Sequence, residues 1–250
     1  MKIAITVDVE PDPIKDSFFG VKYGLPKILK IFDETKIHAT FFITGEIAEK
    51  FPDLVRNLNK KHEIGMHGIY KHERLRKVDD RIINEIIEIK NNIESIIQTP
   101  IYGFRAPFLD IDARLLVKLK DLGFKYDSSL GLFRFNQIRM EKFLEKGFEF
   151  KVLFPNVFFR FPMGLKAFQI FYSLNRVKLA IFYLHPWEAI NVRYLLKKYK
   201  MYQSTFDKIF RIDRWLNTGT EFLKRLKKFI IFFKNKDFEI NTLKNYSKIK

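Results

Sequence analysis

Carboxylates and imidazoles occur in this sequence where apolar, strand-like runs end. Asp8 and Glu10 follow the first run, and residues two apart in extended backbone point the same way, so these side chains can face one pocket. His67 and His72 follow the third run, and His185 ends a late one. Cys is absent, which excludes disulfides, thiolate ligands and a Cys nucleophile, so a metal site must use His and carboxylates.

Two His and one carboxylate make an open site for Zn²⁺ or a similar divalent ion, because three protein ligands leave a position for water. The ion lowers the pKa of that water to roughly 7, a nearby carboxylate can take its proton, and a separate His can protonate a leaving amine. Each motif alone is weak, since an Asp at a strand end is typical of a turn and the His pair lacks the fixed geometry of a helical i, i+4 pair. Their joint placement at successive strand ends indicates metal-assisted hydrolysis.

Strand-like and helix-like patterns alternate along the chain and must position these residues. The predicted strands are 2–7, 39–44, 62–66, 102–105, 126–129, 181–185 and 238–242. The predicted helices are 24–34, 45–60 with a break at Pro52, 79–98, 112–122 and 217–229. The clearest is 79–98, where Ile recurs at three- and four-residue steps and Asp79 or Asp80 can cap the first turn.

Strand–helix alternation of this kind favours a parallel α/β sheet, closed or nearly closed into a barrel. In such barrels the chemistry lies at the carboxyl ends of the strands. Because no internal repeat or linker divides the chain, we expect residues 1–250 to form a single catalytic domain. The Phe-rich segment 132–179 has no clear periodicity, and we interpret it as an insertion or a hairpin layer covering the site.

These motifs resemble those of the polysaccharide deacetylase family (carbohydrate esterase family 4), which includes chitin-oligosaccharide and peptidoglycan deacetylases. The matching segments run in the family's order from residue 5 to residue 188: ITVDVEPD, HATFFITGEIAEKFPDLV, HEIGMHGIYKHERL, YGFRAPFLD, LGFKYDSSL and YLHPWE. The resemblance implies an α/β fold, a distorted (β/α) barrel of roughly seven parallel strands, with a divalent metal, usually zinc, at its mouth. It also implies a hydrolase of a non-peptide amide bond that N-deacetylates an amino sugar.

The resemblance assigns the metal ligands as well. The family commonly has a second Asp directly after its first, and that position is Val9 here. In a branch with a D-x-D or D-x-E arrangement the second acidic residue binds the metal, which implies Glu10 as a ligand and Asp12 as the alternative. His67 and His72 match the paired metal His, although four residues separate them where the family normally has three. We expect a loop bulge to absorb the extra residue.

The proton-transfer groups follow from the same resemblance. Asp8 matches the family's general base, and Arg105 matches the Arg that pairs with the base and fixes its orientation. His185 matches the general acid that gives a proton to the departing amine. Asp127 matches an Asp that tunes this acid His.

Two aromatic residues are expected to border the substrate. Phe108 stands where the family often has a Tyr whose backbone N–H helps to hold the oxyanion, and a backbone donor does not need the hydroxyl group. Trp187 would form a wall of the pocket. The implied substrate is an N-acylated sugar or glycan whose carbonyl group is attacked by water.

The net charge of the chain does not decide between several possible substrates and partners. The formal net charge is +17, and residues 191–250 contain 16 Lys and Arg against 5 Asp and Glu. Such a field attracts anions, so an anionic lipid-linked sugar is an alternative substrate, and a small non-sugar amide is another. No nucleic-acid motif accompanies the charge, so no nucleic-acid partner is expected. Val9 and the stretched His pair motivate a further alternative, an inactive family member acting as a binding module.

Location is predicted from what the sequence lacks. The N-terminus has no long apolar stretch with a small-residue cleavage site, as a secretory signal would. No run of 18 apolar residues indicates a transmembrane segment. We therefore expect a cytoplasmic protein, with the inner membrane surface as the alternative location if the substrate is lipid-linked.

Overall fold

The computed structural model describes residues 1–13, 17–131, 148–154, 156–174, 177–199 and 215–247. Its strands are β1 Lys2–Val9, β2 Thr40–Ile43, β3 Glu63–His67, β4 Gly103–Arg105, β5 Tyr126–Asp127, β6 Leu179–Leu184 and β7 Glu239–Ile240. Its helices are α1 Leu25–Thr35, α2 Gly45–Lys50, α3 Pro52–Asn59, α4 Asp80–Ile97, α5 Ala113–Lys118, α6 Gly164–Leu174, α7 Val192–Lys198, α8 Thr220–Asn235 and α9 Leu243–Tyr246. None of these helices is long and apolar enough to cross a lipid bilayer.

The seven described strands form one sheet in the order β5-β4-β3-β2-β1-β6, with β7 beside the start of β1. Every pairing between these strands is parallel. A further segment joins the two edges, because Glu149 bridges to Asp127 of β5 and Phe154 bridges to Phe182 of β6. The sheet therefore curls into a distorted barrel, and the predicted fold class is confirmed.

Alternation along β1 separates the two faces of the sheet. One face lies fully buried under the helices and consists of Ile3, Ile5, Val7 and Val9. Ala4 belongs to a second apolar cluster on the other face. Because successive strand side chains point to opposite faces, Thr6 and Asp8 share the Ala4 face and lie inside the barrel.

All five predicted helices are present, with 45–60 divided into α2 and α3, whereas α6, α7 and α9 were not predicted. The apolar stripe of α4 is buried at Ile82, Ile83, Ile86, Ile89, Ile93 and Ile97. Each such side chain contributes about 1.5–3 kcal/mol when it leaves water. The Asp79 carboxylate caps this helix by accepting from the backbone N–H of Ile82 over 2.9 Å. The predicted break at Pro52 is also confirmed, since α2 ends before Phe51 and α3 begins at the proline.

The described part of the Phe-rich segment belongs to the core. The rings of Phe154, Phe159 and Phe168 lie 4.5, 5.5 and 5.5 Å from the ring of Phe182 in β6. All four rings belong to the large cluster under the helices. These residues therefore pack behind β6 on its helix side, which corrects the expected covering layer for this part; residues 132–147 lie outside the described residues.

Candidate active site

Four parallel strands bring the candidate residues to one end of the barrel. Glu10 follows β1, His67 and Arg105 are the last residues of β3 and β4, and His185 follows β6. The carboxyl ends of parallel strands meet at the same edge of a sheet, so side chains far apart in sequence converge here. The polar residues that the sequence places at separate strand ends thus lie together in one site.

Glu10 is the centre of a three-residue cluster. Its Oε2 atom lies 3.2 Å from Nε2 of His67 and 2.6 Å from Nε2 of His72. Glu10 and His67 are buried, whereas His72 is partly exposed. Burial on its own raises the pKa of Glu10, but the surrounding imidazoles, first that of His185, lower it below its ordinary value.

Backbone contacts fix the orientation of His67. Its Nδ1 lies 3.0 Å from the carbonyl oxygen of Arg105, which can only accept, so Nδ1 carries the proton. A neutral His67 then presents a lone pair at Nε2 towards the Glu10 carboxylate. The Nε2 lone pair and the carboxylate are both acceptors, so a proton or a cation must lie between them. A His that binds a metal commonly has the same arrangement: one ring nitrogen faces the ion, and the other donates to a backbone carbonyl.

The loop between His67 and His72 absorbs the extra residue. Gly68 has a φ of +67°, a conformation that glycine adopts at no steric cost, and its N–H donates to the Arg105 carbonyl over 2.9 Å. The carbonyls of Ile69 and Tyr70 accept from the first two N–H groups of α2. These helix N–H groups have no partner inside the helix, so the loop is anchored to α2 while His72 turns back to Glu10.

The donor set of this cluster fits a divalent ion. The three ligand atoms lie within 4.8 Å of one another. Ligand atoms bound about 2.1 Å from a tetrahedral ion lie about 3.4 Å apart, so side-chain shifts on the order of 1 Å would bring the three atoms onto one ion. Two imidazoles and one carboxylate suit zinc and also other transition metals.

Asp8 and Arg105 form a buried ion pair next to the cluster. Nη1 of Arg105 donates to Oδ1 of Asp8 and to Oγ1 of Thr6, each over 2.7 Å. Nε and Nη2 donate to the carbonyl and hydroxyl oxygens of Ser128. The guanidinium also lies 4.2 Å from the ring centre of Phe42. These contacts hold Arg105 in one position, and Arg105 in turn orients Asp8.

Phe108 adopts a backbone conformation that is unusual for its residue type. Its φ is 60° and its ψ is 10°, in the left-handed region that a bulky side chain rarely enters. The ring is 42% exposed and lies 4.3 Å from the His72 ring. The guanidinium of Arg74 covers it at 4.6 Å. Strain of this kind at a strand end is a feature of ligand-binding turns.

His185 contacts the second oxygen of the Glu10 carboxylate, not the one that faces His67 and His72. Its Nε2 is 3.6 Å from Oε1 of Glu10, and its ring stacks on Trp187 at 5.3 Å. Trp187 is almost completely buried. Burial lowers the pKa of His185, but the Glu10 charge and the Glu188 carboxylate raise it above the ordinary imidazole value.

Two predicted residues make their contacts elsewhere. The carboxylate of Asp12, the alternative ligand, accepts from Oγ of Ser17 and from the N–H of Gly20, and burial raises its pKa to about 6. Among the described residues it is not part of the His–carboxylate cluster, which corrects that alternative. Asp127 accepts from the N–H and the hydroxyl of Ser129, each over 2.7 Å, and burial raises its pKa.

The carboxylate that contacts Nδ1 of His185 is Glu188, a role that the sequence analysis missed. Its Oε1 lies 3.2 Å from Nδ1 of His185 and accepts from the His185 backbone N–H over 2.9 Å. Pro186–Ala189 forms a 3₁₀ turn, and residues three apart eclipse in such a turn, so Glu188 folds back onto the His185 ring. Arg160, which binds Glu188 from behind, had no local sequence signal at all.

Comparison with known proteins identifies the family of this chain. The model of the polysaccharide deacetylase family matches residues 1–126, which is half of the chain. The chain belongs to the polysaccharide deacetylase family. The matched region contains Asp8, Glu10, His67, His72 and Arg105, whereas His185 lies beyond it.

Individual relatives are similar over part of their length. The chain is 32% identical over 128 residues to a peptidoglycan deacetylase of Helicobacter pylori, covering 48% of this chain and 41% of that protein. It is 34% identical over 112 residues to a peptidoglycan-N-acetylglucosamine deacetylase of Bacillus cereus, covering 44% of this chain and 37% of that protein. The chain thus spans less than half the length of these two relatives.

One solved structure illustrates the fold. A mutant of a Bacillus anthracis pseudoenzyme of carbohydrate esterase family 4, with restored enzymatic activity, superposes with a TM-score of 0.60. The match covers 99% of this chain and 67% of that one at 15% identity. Likeness at this identity shows the shared fold alone.

Proposed function

We propose that this protein is a metal-dependent hydrolase that removes the acetyl group from the nitrogen of an amino sugar in a glycan. The observation that carries the proposal is the convergence of Glu10, His67 and His72, beside the Asp8–Arg105 pair. Family membership supports amide deacetylation as the reaction class.

Glu10 and the two imidazoles would hold the divalent ion, for which zinc is the expected metal. When bound, the ion supplies a water of lowered pKa and polarises a carbonyl group. Each ligand is fixed by the backbone: Glu10 by its place directly after β1, His67 by β3 and His72 by the anchored loop. A site held in this way loses little conformational entropy when the ion binds.

Asp8 is the proposed general base. It shares its strand face with Glu10, two residues on, so it faces the same pocket. Arg105 fixes its orientation through the 2.7 Å contact and leaves Oδ2 to accept the proton of the attacking water. Water then adds to the amide carbonyl, and the C–N bond breaks to give acetate and the free amine.

His185 is the proposed general acid, and Phe108 the proposed oxyanion donor. Nε2 of His185 is directed towards Glu10 and can give its proton to the departing amine nitrogen. Phe108 lies in a left-handed turn, and its backbone N–H is the proposed donor to the oxyanion. A backbone donor does not depend on the identity of the side chain. Trp187 supports the imidazole and forms the wall behind it.

The proposed substrate class follows from the relatives. The two described above are named for peptidoglycan and for its N-acetylglucosamine units, so an N-acetylated glycan of that kind is the first substrate to test. Neither relative is named for a lipid-linked sugar.

One observation favours a second candidate, a non-catalytic glycan-binding module. Val9 occupies the position where the family commonly has a carboxylate, and it is fully buried under the helices. A pseudoenzyme of the same esterase family shares the fold. Metal content separates the two candidates, because only the hydrolase needs the ion.

The decisive experiment is metal analysis of the purified protein together with acetate release from N-acetylglucosamine oligomers and peptidoglycan fragments. We expect about one equivalent of metal, the single open site described above, lost in Glu10→Ala and in His72→Ala. Asp12→Asn is the matched control, since it changes a nearby buried carboxylate outside the cluster and should keep the metal. Wild-type protein without metal, even after incubation with excess Zn²⁺, would overturn the proposal and favour the binding module.

A further inference from the structure

A buried ion pair lies behind His185. Nε of Arg160 donates to Oε2 of Glu188 over 2.6 Å, and the two residues are 2% and 0% exposed. The other oxygen of Glu188 accepts from the His185 backbone N–H and lies 3.2 Å from Nδ1 of its ring. One carboxylate therefore joins a guanidinium on one side to the imidazole on the other.

Arg160 is itself fixed by the turn before α8. Its Nη1 donates to the carbonyl of Leu216 over 3.2 Å, and the side chain of Asn217 donates to the Arg160 carbonyl over 2.8 Å. The N–H of Gly219 donates to the Glu188 carbonyl over 2.8 Å. The same turn thus holds both members of the ion pair.

The Phe-rich segment determines where Arg160 lies. Phe159 precedes it and packs against Phe182 of β6 and Phe229 of α8. The guanidinium lies 5.2 Å from the Trp187 ring, the same ring that stacks on His185. A fully buried ion pair adds little net stability, because desolvation offsets the attraction, but it does define geometry.

We propose that Glu188, held by Arg160, is a positioning residue for His185 that keeps Nδ1 protonated and Nε2 turned towards Glu10. A carboxylate can only accept, so the imidazole nitrogen that faces it must donate. His185 can then exchange a proton only at Nε2, the atom 3.6 Å from Glu10. The catalytic part of this inference rests on the proposed function of His185, whereas the tautomer does not.

This assignment replaces Asp127 in the role that the family resemblance implied. Asp127 accepts twice from Ser129, and its neighbour is the Glu149 carboxylate. Glu188 makes the contact to Nδ1 that the role requires, from a turn that begins at the residue after His185.

Glu188→Gln tests the inference because Glu188 accepts on both of its sides. A Gln can present its carbonyl to Arg160 or to His185, but its NH₂ group must then face a donor on the other side. With Arg160 in place, the carbonyl is drawn to the charged guanidinium, and the NH₂ group faces Nδ1. When Arg160→Met is added, the guanidinium is gone, and the side-chain carbonyl of the introduced Gln can accept from Nδ1 of His185 again.

The first readout is the imidazole tautomer, from ¹⁵N-histidine NMR of the full-length protein as purified and after zinc loading. The chain has 5 His, so His185→Gln identifies the resonance. At a pH above the pKa of His185, where the ring is neutral, we expect the Nδ1–H tautomer in wild type, its loss in Glu188→Gln and its return in the double variant. Glu63→Gln is the matched control, since Glu63 is a buried carboxylate at the opposite end of β3 and should leave the His185 signal unchanged.

The second readout is turnover. Glu188→Gln should lower kcat by about 10- to 100-fold, the usual effect of losing a residue that orients a functional imidazole, with KM and metal content nearly unchanged. The double variant should recover part of that loss. An Nε2–H tautomer in wild type, or an unchanged tautomer in Glu188→Gln, would overturn the inference. Wild type without deacetylase activity but with the expected tautomers would instead sink the proposed function and leave the positioning contact standing.

Discussion

The Arg105 guanidinium donates to the Asp8 carboxylate across the barrel interior, over 2.7 Å. Asp8 lies on β1 and Arg105 on β4, and two strands, β2 and β3, separate them in the sheet. The contact therefore depends on the curl of the sheet, because in a flat sheet side chains three strands apart lie about 14 Å from each other. The orientation of the proposed base is thus a property of the whole barrel.

Arg105→Lys should lower kcat by about 100-fold or more while the metal stays bound. Lysine keeps the charge but presents one ammonium group, which cannot reach Asp8, Thr6 and Ser128 together as the planar guanidinium does. A base that loses its orientation loses most of the 10²–10⁴-fold contribution of general-base catalysis. Steady-state kinetics with metal analysis measure both quantities.

Arg76→Lys is the matched control for this substitution. Arg76 pairs with Asp110 and is largely exposed, so its replacement should change kcat less than about twofold, in line with the small contribution of surface ion pairs. Equal losses in the two variants would contradict the role of Arg105.

Val9→Asp should destabilise the protein without improving metal binding. Alternation along β1 turns position 9 towards the helices, where Val9 is fully buried, and a carboxylate there would lack a partner. We expect a loss of about 3 kcal/mol or more in the free energy of unfolding, against about 2 kcal/mol for the cavity made by Val9→Ala. Urea unfolding and zinc titration test this, and a Val9→Asp variant that binds zinc more tightly would show that the strand face is wrongly assigned.

Sequence patterns predicted most of the fold because the signals are local. Proline geometry predicts the break at Pro52, and the polar side chain before the Ile stripe predicts the cap at Asp79. The candidate metal ligands could be predicted from the sequence for the same reason, because they follow or end recognisable strands. The partner of His185 could not, because choosing between Asp127 and Glu188 requires knowing that a 3₁₀ turn folds Glu188 back onto the ring.

Long-range packing explains the other misses. Arg160 reaches Glu188 because Phe rings from three separate parts of the chain pack together, and no period in the sequence reports that arrangement. Runs of Phe have the same appearance whether they line a core or cover a site, so composition alone could not place the Phe-rich segment.

Phe108→Gly should stabilise the turn and leave most of the activity. A non-glycine residue in the left-handed region costs roughly 1–2 kcal/mol, which glycine removes, although the exposed ring gives up its contacts to His72 and Arg74. The proposed oxyanion donor is the backbone N–H, which the substitution keeps. We expect kcat within about tenfold of wild type, since one lost oxyanion donor costs 10²–10³-fold.

Phe108→Tyr provides the complementary control. It retains the strained backbone and adds only a hydroxyl group at an exposed ring, so neither kcat nor the unfolding free energy should change appreciably. A loss above about 100-fold in Phe108→Gly, with Phe108→Tyr unaffected, would show that the ring and not the N–H carries the role.

His62 should make folding sensitive to acid at a place remote from the candidate site. Burial, followed by the nearby His38, lowers the pKa of His62 to about 4, and its Nδ1 accepts from the backbone N–H of Ala39 at 3.4 Å. An imidazolium ion cannot accept, so the folded state keeps His62 neutral while the unfolded chain protonates it near pH 6.5. Because the folded pKa is depressed, the unfolded state binds more protons between pH 6.5 and 4, and stability falls as the pH falls through that window.

The expected acid-dependent loss from this group is about 2–3 kcal/mol at pH 4, and His62→Gln should remove it. Urea unfolding at pH 7, 5.5 and 4 measures the difference in slope between wild type and variant, which cancels the contributions of all other groups. His38→Gln is the matched control, because His38 is exposed and the variant keeps the buried His62 imidazole, so most of the acid-dependent loss should persist. Parallel pH profiles for wild type and His62→Gln would show that the barrel accommodates a charged His62, and the contact to Ala39 would then contribute nothing to the acid sensitivity of the fold.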